Sequence, residues 1–270
     1  MHKVVIDESS SRIKERMAGI KRKILVMSNK GGVGKSSAAL SFAALLHSRG
    51  DKVGLLDIDM HGPSMAKMAG VEGRNPGSDG KSIRPVEIAP GFNVMSMGSL
   101  MLESHKPVIW RGPMKMSVLK QFLADVVWGA LDYFIIDSPP GTGDEPLTIC
   151  RLIPGLDGGV VVTTGQEIAL LDSLKAVNFL KALDIPVLGV LENMTAFACP
   201  HCSKEINLFK SGAAAASARE LGVPFLGSVP FDPAMVEAAD RGEIFVLTNK
   251  GSRTAKAMEC AVDKVVDNFL

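Results

Sequence analysis

The chain has 270 residues, of which 46% are hydrophobic, so it can bury a large core and has an ordinary size for one α/β domain. Its formal net charge of +1 gives no electrostatic reason to expect nucleic acid as the main partner. The polar segment 1–22 lacks the apolar core of a signal peptide, and no other stretch is long and apolar enough to cross a bilayer. We therefore expect a soluble, cytoplasmic protein without a nucleic-acid or membrane partner.

Apolar, β-branched runs alternate with helical patterns along the chain. The predicted strands are 24–27, 53–57, 133–137, 159–163, 187–191 and 225–229. The predicted helices are 36–48, 114–128, 146–152, 170–183 and 213–221, with a last helix within 252–270. This alternation predicts an α/β fold, in which helices cover both faces of a mostly parallel, twisted sheet. Because no repeat or linker divides the chain, we expect 1–270 to form a single domain.

Three minor features complete the predicted fold. Runs 83–88 and 92–97 flank Pro90-Gly91 and predict an edge hairpin. The Gly/Ser/Asp-rich stretch 70–82 predicts a mobile surface loop. Cys150 and Cys260 lie in apolar helical contexts, which predicts that both are buried packing residues.

The strongest motif is a glycine-rich loop between the first predicted strand and the first predicted helix. It contains Lys30, Gly31, Gly32, Val33, Gly34, Lys35, Ser36 and Ser37. Glycines let backbone N–H groups converge on phosphate oxygens at a helix N-terminus, and the lysine of such a Gly-Lys-Ser sequence reaches the outer phosphates. The Ser36 hydroxyl can ligate Mg²⁺. Residues 31–37 are therefore predicted to bind a nucleoside triphosphate.

Acidic residues follow two later strands, at the sheet edge where open α/β folds bind their ligands. Asp57 and Asp59 come at the end of the second predicted strand, and strand alternation directs both to the same side. Asp137 ends the third predicted strand, and the Pro/Gly-rich turn after it can respond to a γ-phosphate. Because these residues follow a phosphate loop in this order, catalysis and Mg²⁺ binding are favoured over helix capping for Asp59 and Asp137.

The phosphate loop departs from the usual pattern, since Asn29 stands where a glycine is common and a second lysine, Lys30, follows it. In this respect it resembles the deviant Walker A loop of the MinD/ParA/nitrogenase-iron-protein class of P-loop ATPases. The resemblance implies that ATP is bound by a homodimer, in which Lys30 reaches the partner's nucleotide. It also makes Asp59 the switch I residue that orients the attacking water and contacts the Mg²⁺ shell, and it assigns Asp137 to switch II. Lys30, Lys35 and Asp59 are the predicted catalytic residues.

Two further segments are predicted to contact the base. Asn193 follows the strand predicted at 187–191, and a carboxamide can pair with the edge of a purine, although an asparagine here also suits a turn. The position matches the base-contacting asparagine of the same ATPase class. Pro230 and Asp232, with Phe231 between them, resemble the loop of that class that closes over the base.

A Cys-Pro-His-Cys segment supplies Cys199 and Cys202 in the predicted loop 196–209. Two thiolates cannot complete a tetrahedral metal site, which usually needs four ligands, and the chain has no second Cys-x-x-Cys pair. The homodimer implied by Lys30 would bring two such loops together across a two-fold axis. The four cysteines could then hold one 4Fe-4S cluster between the subunits.

Taken together, the motifs resemble one subfamily, the Mrp/ApbC/Nbp-type ATPases that carry iron-sulfur clusters to apoproteins. The matching segments are 30–37, 57–64, 110–114, 137–144, 192–194 and 199–202. The resemblance implies a slow ATPase that assembles or transfers a 4Fe-4S cluster, with apoproteins as clients and a cluster scaffold as a further candidate partner. Residues 211–215 depart from the glycine triplet common in the subfamily, and the four-cysteine N-terminal extension of its longer members is not found, which favours a single bridging cluster.

Three other functions fit parts of the sequence. A MinD/ParA-like positioning ATPase would need a basic membrane-surface helix, whereas 262–270 carry Asp263 and Asp267 with only Lys264 as a base. A zinc-stabilised nucleotide switch would use the same cysteines, because ligand type alone does not separate zinc from iron-sulfur sites. A thiol oxidoreductase would need a helix N-terminus at the cysteine pair, whereas the residues after Cys202 predict a short strand.

Overall fold

A mostly parallel sheet forms the centre of the fold in this computed structural model. The structure describes residues 8–59, 64–96, 112–199, 201–202, 204–209 and 212–269, without the side chains of 8, 112–115 and 167–172. The strands are β1 (Ile20–Met27), β2 (Val53–Asp57), β3 (Gly77–Ser78), β4 (Ile83–Arg84), β5 (Val86–Ala89), β6 (Phe92–Ser96), β7 (Leu131–Asp137), β8 (Gly158–Thr164), β9 (Val187–Asn193), β10 (Ala196–Ala198), β11 (Glu205–Asn207) and β12 (Phe225–Ser228). Within the described residues, the main sheet has the order β12-β9-β8-β1-β7-β2-β6-β5, and β5 is antiparallel to β6 while the other neighbours are parallel.

Helices cover both faces of this sheet. They are α1 (Glu8–Ala18), α2 (Lys35–Ser48), α3 (Met65–Met68), α4 (Gly112–Asp125), α5 (Asp144–Leu152), α6 (Glu167–Ala182), α7 (Ala213–Glu220), α8 (Pro233–Arg241), α9 (Phe245–Thr248) and α10 (Arg253–Asp267). Alternation along β1 separates two cores: Ile24 and Val26 pack with α2 and α10, whereas Leu25 and Met27 pack with α1, α4 and α6. The predicted fold class is confirmed, and the ends of the predicted parallel strands and helices move by at most four residues.

Helix α1 was not predicted, because the N-terminal segment was recognised only as polar. Ile13 and Met17 lie four residues apart on one helical face, and each has 1% of its surface exposed. The helix packs against α4, and Arg12 forms an ion pair with Asp125. The described part of segment 1–22 thus contributes to the core despite its polar composition.

The region before β5 is more regular than the sequence indicated. Strands β3 and β4 form a small antiparallel hairpin inside and just after the stretch predicted to be a loop. The carboxylate of Asp79 accepts hydrogen bonds from the backbone N–H groups of Lys81 and Ser82, which lower its pKa to about 2. Pro85, which has no N–H group to donate, separates β4 from β5, so the predicted run 83–88 is two strands.

The prediction that both lone cysteines are buried was wrong for Cys260. It is exposed, because it lies two residues after the buried Met258 and therefore on the solvent side of α10. Cys150, on α5, is half-buried, and burial raises the pKa of its thiol to about 11. In the described parts of the chain, no helix is both long and apolar enough to cross a membrane.

Candidate functional site

The glycine-rich loop joins β1 to α2 at the carboxyl edge of the sheet. Gly32 and Gly34 have φ angles of +78° and +83°, in the left-handed region that favours glycine. Gly34 is the N-cap of α2 and offers no side chain to accept a hydrogen bond from the first helical N–H groups. Those groups are therefore directed to the loop, as an anion-binding site requires. Lys35, Ser36 and Ser37 form the first turn of α2.

Lys35 and Asp137 form a buried ion pair beside this loop. Lys35 Nζ lies 2.5 Å from Asp137 Oδ1 and also donates a hydrogen bond to Ser36 Oγ at 3.3 Å. Burial raises the pKa of Asp137, and the charge of Lys35 opposes that shift. The second carboxylate oxygen of Asp137 is buried without a hydrogen-bond partner in the described structure. A buried, unpartnered carboxylate oxygen near a serine hydroxyl fits the oxygen ligands that Mg²⁺ prefers.

Asp57 lies next to Asp137, since the two residues pair in register on β2 and β7. Its carboxylate accepts hydrogen bonds from Ser96 Oγ at 2.7 Å and from the backbone N–H of Asp59 at 3.0 Å. Burial raises the pKa of Asp57 to about 7, and the nearby charge of Asp137 adds to the shift. Asp57 thus supports the start of the segment that carries Asp59, and the charge of Asp59 also acts on Asp137.

Lys30 is exposed at the start of the phosphate loop. Its Nζ donates a hydrogen bond at 3.2 Å to Oε1 of Gln166, the residue that precedes α6. The side chain predicted to reach a partner's nucleotide is therefore bound, in the single chain, to a residue of the same chain. Gln166 was not among the predicted site residues, because it has no motif of its own and lies 136 residues away along the chain.

Asn193 ends β9 and contacts the phosphate loop directly. Its side chain is 5% exposed, and Nδ2 donates a hydrogen bond to the carbonyl oxygen of Val33 at 3.0 Å. A Cβ atom on Gly34 would lie 2.2 Å from Asn193 Nδ2, so this approach requires glycine at 34. The structure thus brings Asn193 to the predicted nucleotide site, while its contact with the base stays a prediction.

The other predicted base loop follows β12. Asp232 caps α8, because its side chain accepts a hydrogen bond from the backbone N–H of Ala234 at 3.0 Å. The carbonyl oxygen of Pro230 accepts a hydrogen bond from Thr254 Oγ1 at 3.2 Å. Both residues are therefore held by their own chain, and their part in base binding stays a prediction.

Cys199 and Cys202 lie at the tip of a hairpin formed by β10 and β11, which we call the cysteine hairpin (196–209). Cys199 N–H donates to the carbonyl oxygen of Lys204 at 3.0 Å and closes the hairpin. The N–H groups of Cys202 and His201 lower the pKa of the Cys199 thiol, which favours the thiolate that a metal requires. The strand predicted after Cys202 is confirmed as β11, so this pair does not begin a helix.

The described residues of the cysteine hairpin do not complete a metal centre by themselves. Across the residues that the structure describes, no group of three or more His, Cys, Asp or Glu side chains is close enough to hold a metal ion. A single described chain offers two thiolates, half of the ligands that an iron-sulfur or zinc site usually takes. That two loops share one site stays a prediction.

Residues 19–266 match a family model described as NUBPL iron-transfer P-loop NTPase. The chain belongs to this family. The match covers the whole main sheet, the phosphate loop and the cysteine hairpin, so the resemblance inferred from the sequence motifs is confirmed. As a member of a P-loop NTPase family, the protein is a nucleotide-hydrolysing enzyme in the general sense.

Individual relatives agree with the family match. The iron-sulfur cluster carrier protein of Methanocaldococcus jannaschii is 46% identical over 245 residues, which cover 91% of this chain and 84% of that protein. Cytosolic Fe-S cluster assembly factor CFD1 of Saccharomyces cerevisiae is 46% identical over 227 residues, 82% of this chain and 78% of that protein.

Solved structures of other P-loop proteins have the same fold. A nucleotide-binding protein from Archaeoglobus fulgidus, in complex with ADP, has a TM-score of 0.76 and 36% identity, and the match covers 87% of this chain and 92% of that chain. The cell division ATPase MinD of Pyrococcus furiosus has a TM-score of 0.66 at 20% identity, and covers 92% of this chain and 99% of that chain. The likeness to MinD shows a shared fold alone.

Parts of the family-like segments lie outside the described residues, namely 60–63, 110–111, 200 and 211. Among the described residues of these segments, the structure brings Lys35, Ser36 and Asp137 together. Besides the contact of Lys30 with Gln166, the structure adds two contacts that no motif indicated: the Ser96 hydrogen bond to Asp57, and the packing of Phe197 on Phe231.

Proposed function

We propose that this protein hydrolyses ATP and carries a 4Fe-4S cluster, held between two subunits, to iron-sulfur apoproteins. The observation that carries the proposal is that the phosphate loop and the cysteine hairpin both lie next to the end of β9. Asn193 contacts the phosphate loop there, and the cysteine hairpin starts three residues later, at Ala196. One short segment therefore connects a phosphate loop with a half-site for a thiolate-bound cluster.

The nucleotide site uses residues from three strand ends. The N–H groups of 31–37 would bind the phosphates, and Lys35 would neutralise their charge. Ser36 and Asp137, with Asp59 in the outer shell, would hold Mg²⁺, which neutralises charge on the phosphate oxygens when bound. Asp59 would orient the attacking water. Supporting this assignment is the unpartnered, buried oxygen of Asp137.

Dimer formation would complete the catalytic site. Lys30 would leave Gln166 and reach the partner's nucleotide, which adds a positive charge where negative charge develops during hydrolysis. The same association would bring Cys199 and Cys202 of both chains together around one cluster. The exposed position of Cys202 and the lowered pKa of Cys199 support a cluster that can be loaded and released.

The proposed partners are apoproteins that accept 4Fe-4S clusters, together with a scaffold that donates them. The proposed location is cytoplasmic, like that of the yeast relative, a cytosolic Fe-S cluster assembly factor. The net charge of +1 gives no support to a nucleic-acid partner.

Cluster transfer tests this function. The reconstituted wild-type protein would be mixed anaerobically with an apoenzyme that is active only with a 4Fe-4S cluster, in the presence of a chelator that removes free iron. We expect the apoenzyme to regain activity, and to do so at a different rate when MgATP is present. A protein that binds zinc instead, or that activates the apoenzyme no better than its Cys199→Ala/Cys202→Ala variant, would refute carriage.

A further inference from the structure

The cysteine hairpin is attached to the rest of the chain beside both segments proposed to bind the base. The first attachment is its connection to β9. Asn193 donates to Val33 in the phosphate loop, and Met194 has a φ of +57°, which turns the chain sharply. Thr195 N–H then donates to the carbonyl oxygen of Val229 at 3.1 Å. A shift of Asn193 would therefore act on the first residues of the hairpin.

The second attachment joins β10 to the predicted base loop. Phe231 N–H donates to the carbonyl oxygen of Ala196 at 2.8 Å. The rings of Phe197 and Phe231 pack edge to face, with centroids 6.2 Å apart and an interplanar angle of 61°. Phe231 stands between Pro230 and Asp232, so a movement of this loop would be passed to β10 by a backbone hydrogen bond and a ring contact.

Other contacts hold the hairpin weakly. Arg253 and Glu205 form an ion pair at 2.7 Å, but both side chains are exposed, and such pairs contribute little. A cleft of about 170 Å³ lies between the hairpin, the base loop and the start of α10. An isolated two-stranded hairpin is only marginally stable. The position of the hairpin therefore depends strongly on its attachments at Asn193 and Phe231.

The turn after Asp137, which would respond to the γ-phosphate, has different contacts. Ser138 N–H donates to Val26, and Gly141 N–H donates to Ser28, both in or next to β1. Within the described residues, no hydrogen bond runs from 138–143 to the cysteine hairpin. The contacts that could move the hairpin thus lie at the segments proposed to bind the base, and not at the turn proposed to respond to the γ-phosphate.

We propose that the cysteine hairpin responds to the base of the bound nucleotide, through Asn193 and the contact between Phe197 and Phe231. This inference rests on the proposed function, because it requires the base to lie against Asn193 and the loop 230–232. An adenine whose amino group donates to Asn193 Oδ1, and whose ring nitrogen accepts from Nδ2, competes with the Val33 carbonyl for the amide. A base packed on 230–232 also restrains Phe231. Adenine would then change the exposure of Cys199 and Cys202 whether or not a γ-phosphate is present.

Thiol modification of the full-length, cluster-free protein tests this directly. The alkylation rates of Cys199 and Cys202 would be measured by mass spectrometry, anaerobically, without nucleotide and with saturating ATP, ADP or ITP. ITP keeps the triphosphate but replaces the amino group of adenine by a carbonyl. We expect ATP and ADP to change the rates by the same factor, about fivefold, and ITP to change them by less than about half of that factor. Equal effects of ATP and ITP, with little effect of ADP, would overturn the proposal.

A variant of the hairpin gives a second test. Phe197→Ala removes the ring contact but leaves the cysteines, the phosphate loop and the base loop intact. Leu208→Ala is the matched control, an apolar truncation at an exposed position of the same hairpin. We expect both variants to bind and hydrolyse ATP like the wild type. Only Phe197→Ala should weaken the response of the thiols, to less than about half of the wild-type factor, because the connection through Asn193 remains. Phe197→Leu removes the ring but keeps most of the side-chain volume, so it should fold even if Phe197→Ala does not. It should also weaken the response of the thiols.

Failure of this inference is distinguishable from failure of the proposed function. Nucleotide binding is measured separately, by calorimetry, for each nucleotide and variant. If no nucleotide binds, both the function and the inference are refuted. If nucleotides bind and clusters are transferred, but Phe197→Ala keeps the full thiol response, the inference alone is refuted.

Discussion

Lys35 and Asp137 form a close ion pair between the start of α2 and the sheet, with Nζ 2.5 Å from Oδ1 and both side chains buried. Removing one partner of a buried ion pair leaves an uncompensated charge, which usually costs about 3–5 kcal/mol. The pair therefore fixes the start of α2 against the end of β7.

A Lys35→Met variant should lose both stability and hydrolysis. We expect its free energy of unfolding to fall by about 3–5 kcal/mol, because Asp137 is left unpaired, and hydrolysis to fall by about 100-fold or more, because a positive charge on the phosphates is lost. In Lys35→Met/Asp137→Asn the buried charge is gone, so stability should recover in part while hydrolysis does not. Urea unfolding and phosphate release measure the two quantities. A double variant less stable than Lys35→Met would contradict the ion-pair explanation.

Lys30 should matter for the dimer and not for nucleotide binding by one chain. Lys30→Ala is expected to leave nucleotide affinity unchanged at low protein concentration but to remove the rise in specific hydrolysis rate with protein concentration. Gln166→Ala frees Lys30 in each of the two subunits from a hydrogen bond worth about 1 kcal/mol, so it should tighten the ATP-dependent dimer by up to about 30-fold. Sedimentation equilibrium with a non-hydrolysable ATP analogue measures this. If the specific hydrolysis rate of Lys30→Ala still rises with protein concentration like that of the wild type, Lys30 does not act across the dimer.

Helix α1 should contribute substantially to stability. Ile13→Ala removes a buried side chain and is expected to lower the free energy of unfolding by about 2–4 kcal/mol. Lys14→Ala, at the next and exposed position, should change it by less than about 0.5 kcal/mol. Urea denaturation of both variants gives the comparison. Equal, small effects would mean that α1 is not packed on α4.

The two lone cysteines should differ in reactivity and pH dependence. Burial raises the pKa of Cys150 to about 11, so its thiolate fraction at pH 8 is about 0.1%. Alkylation of Cys150 should therefore be at least about tenfold slower than that of the exposed Cys260, and its rate should keep rising with pH up to about 11. Urea should abolish the difference. Equal rates in the folded protein would show that Cys150 is accessible.

Local patterns predicted most of the fold and the centre of the site. The strand, loop and helix around Lys35 are adjacent in the sequence, so their composition suffices to recognise them. Asp137 was predictable because parallel strands end at one sheet edge. Asp57 and Asp137 then pair in register across β2 and β7, which follows from the same rule.

Local patterns could not predict contacts between residues that lie far apart in the sequence and belong to no motif. Lys30 meets Gln166 across 136 residues, and no spacing or composition signals that hydrogen bond. Phe197 and Phe231 come together only because β10 and the loop after β12 fold to the same place. Helix α1 has only two fully buried apolar residues in a polar segment, too weak a pattern to be recognised.

Anaerobic cluster reconstitution decides whether Cys199 and Cys202 hold a cluster as proposed. Iron, sulfide, zinc and subunit mass would be measured for the wild type and for Cys199→Ala/Cys202→Ala, with ATP binding as the check that the variant is folded. We expect about four irons and four sulfides per two wild-type subunits, in a dimer, and none in the variant. Zinc without a stable cluster in the wild type, or equal iron in both proteins, would contradict the proposal that this protein carries iron-sulfur clusters.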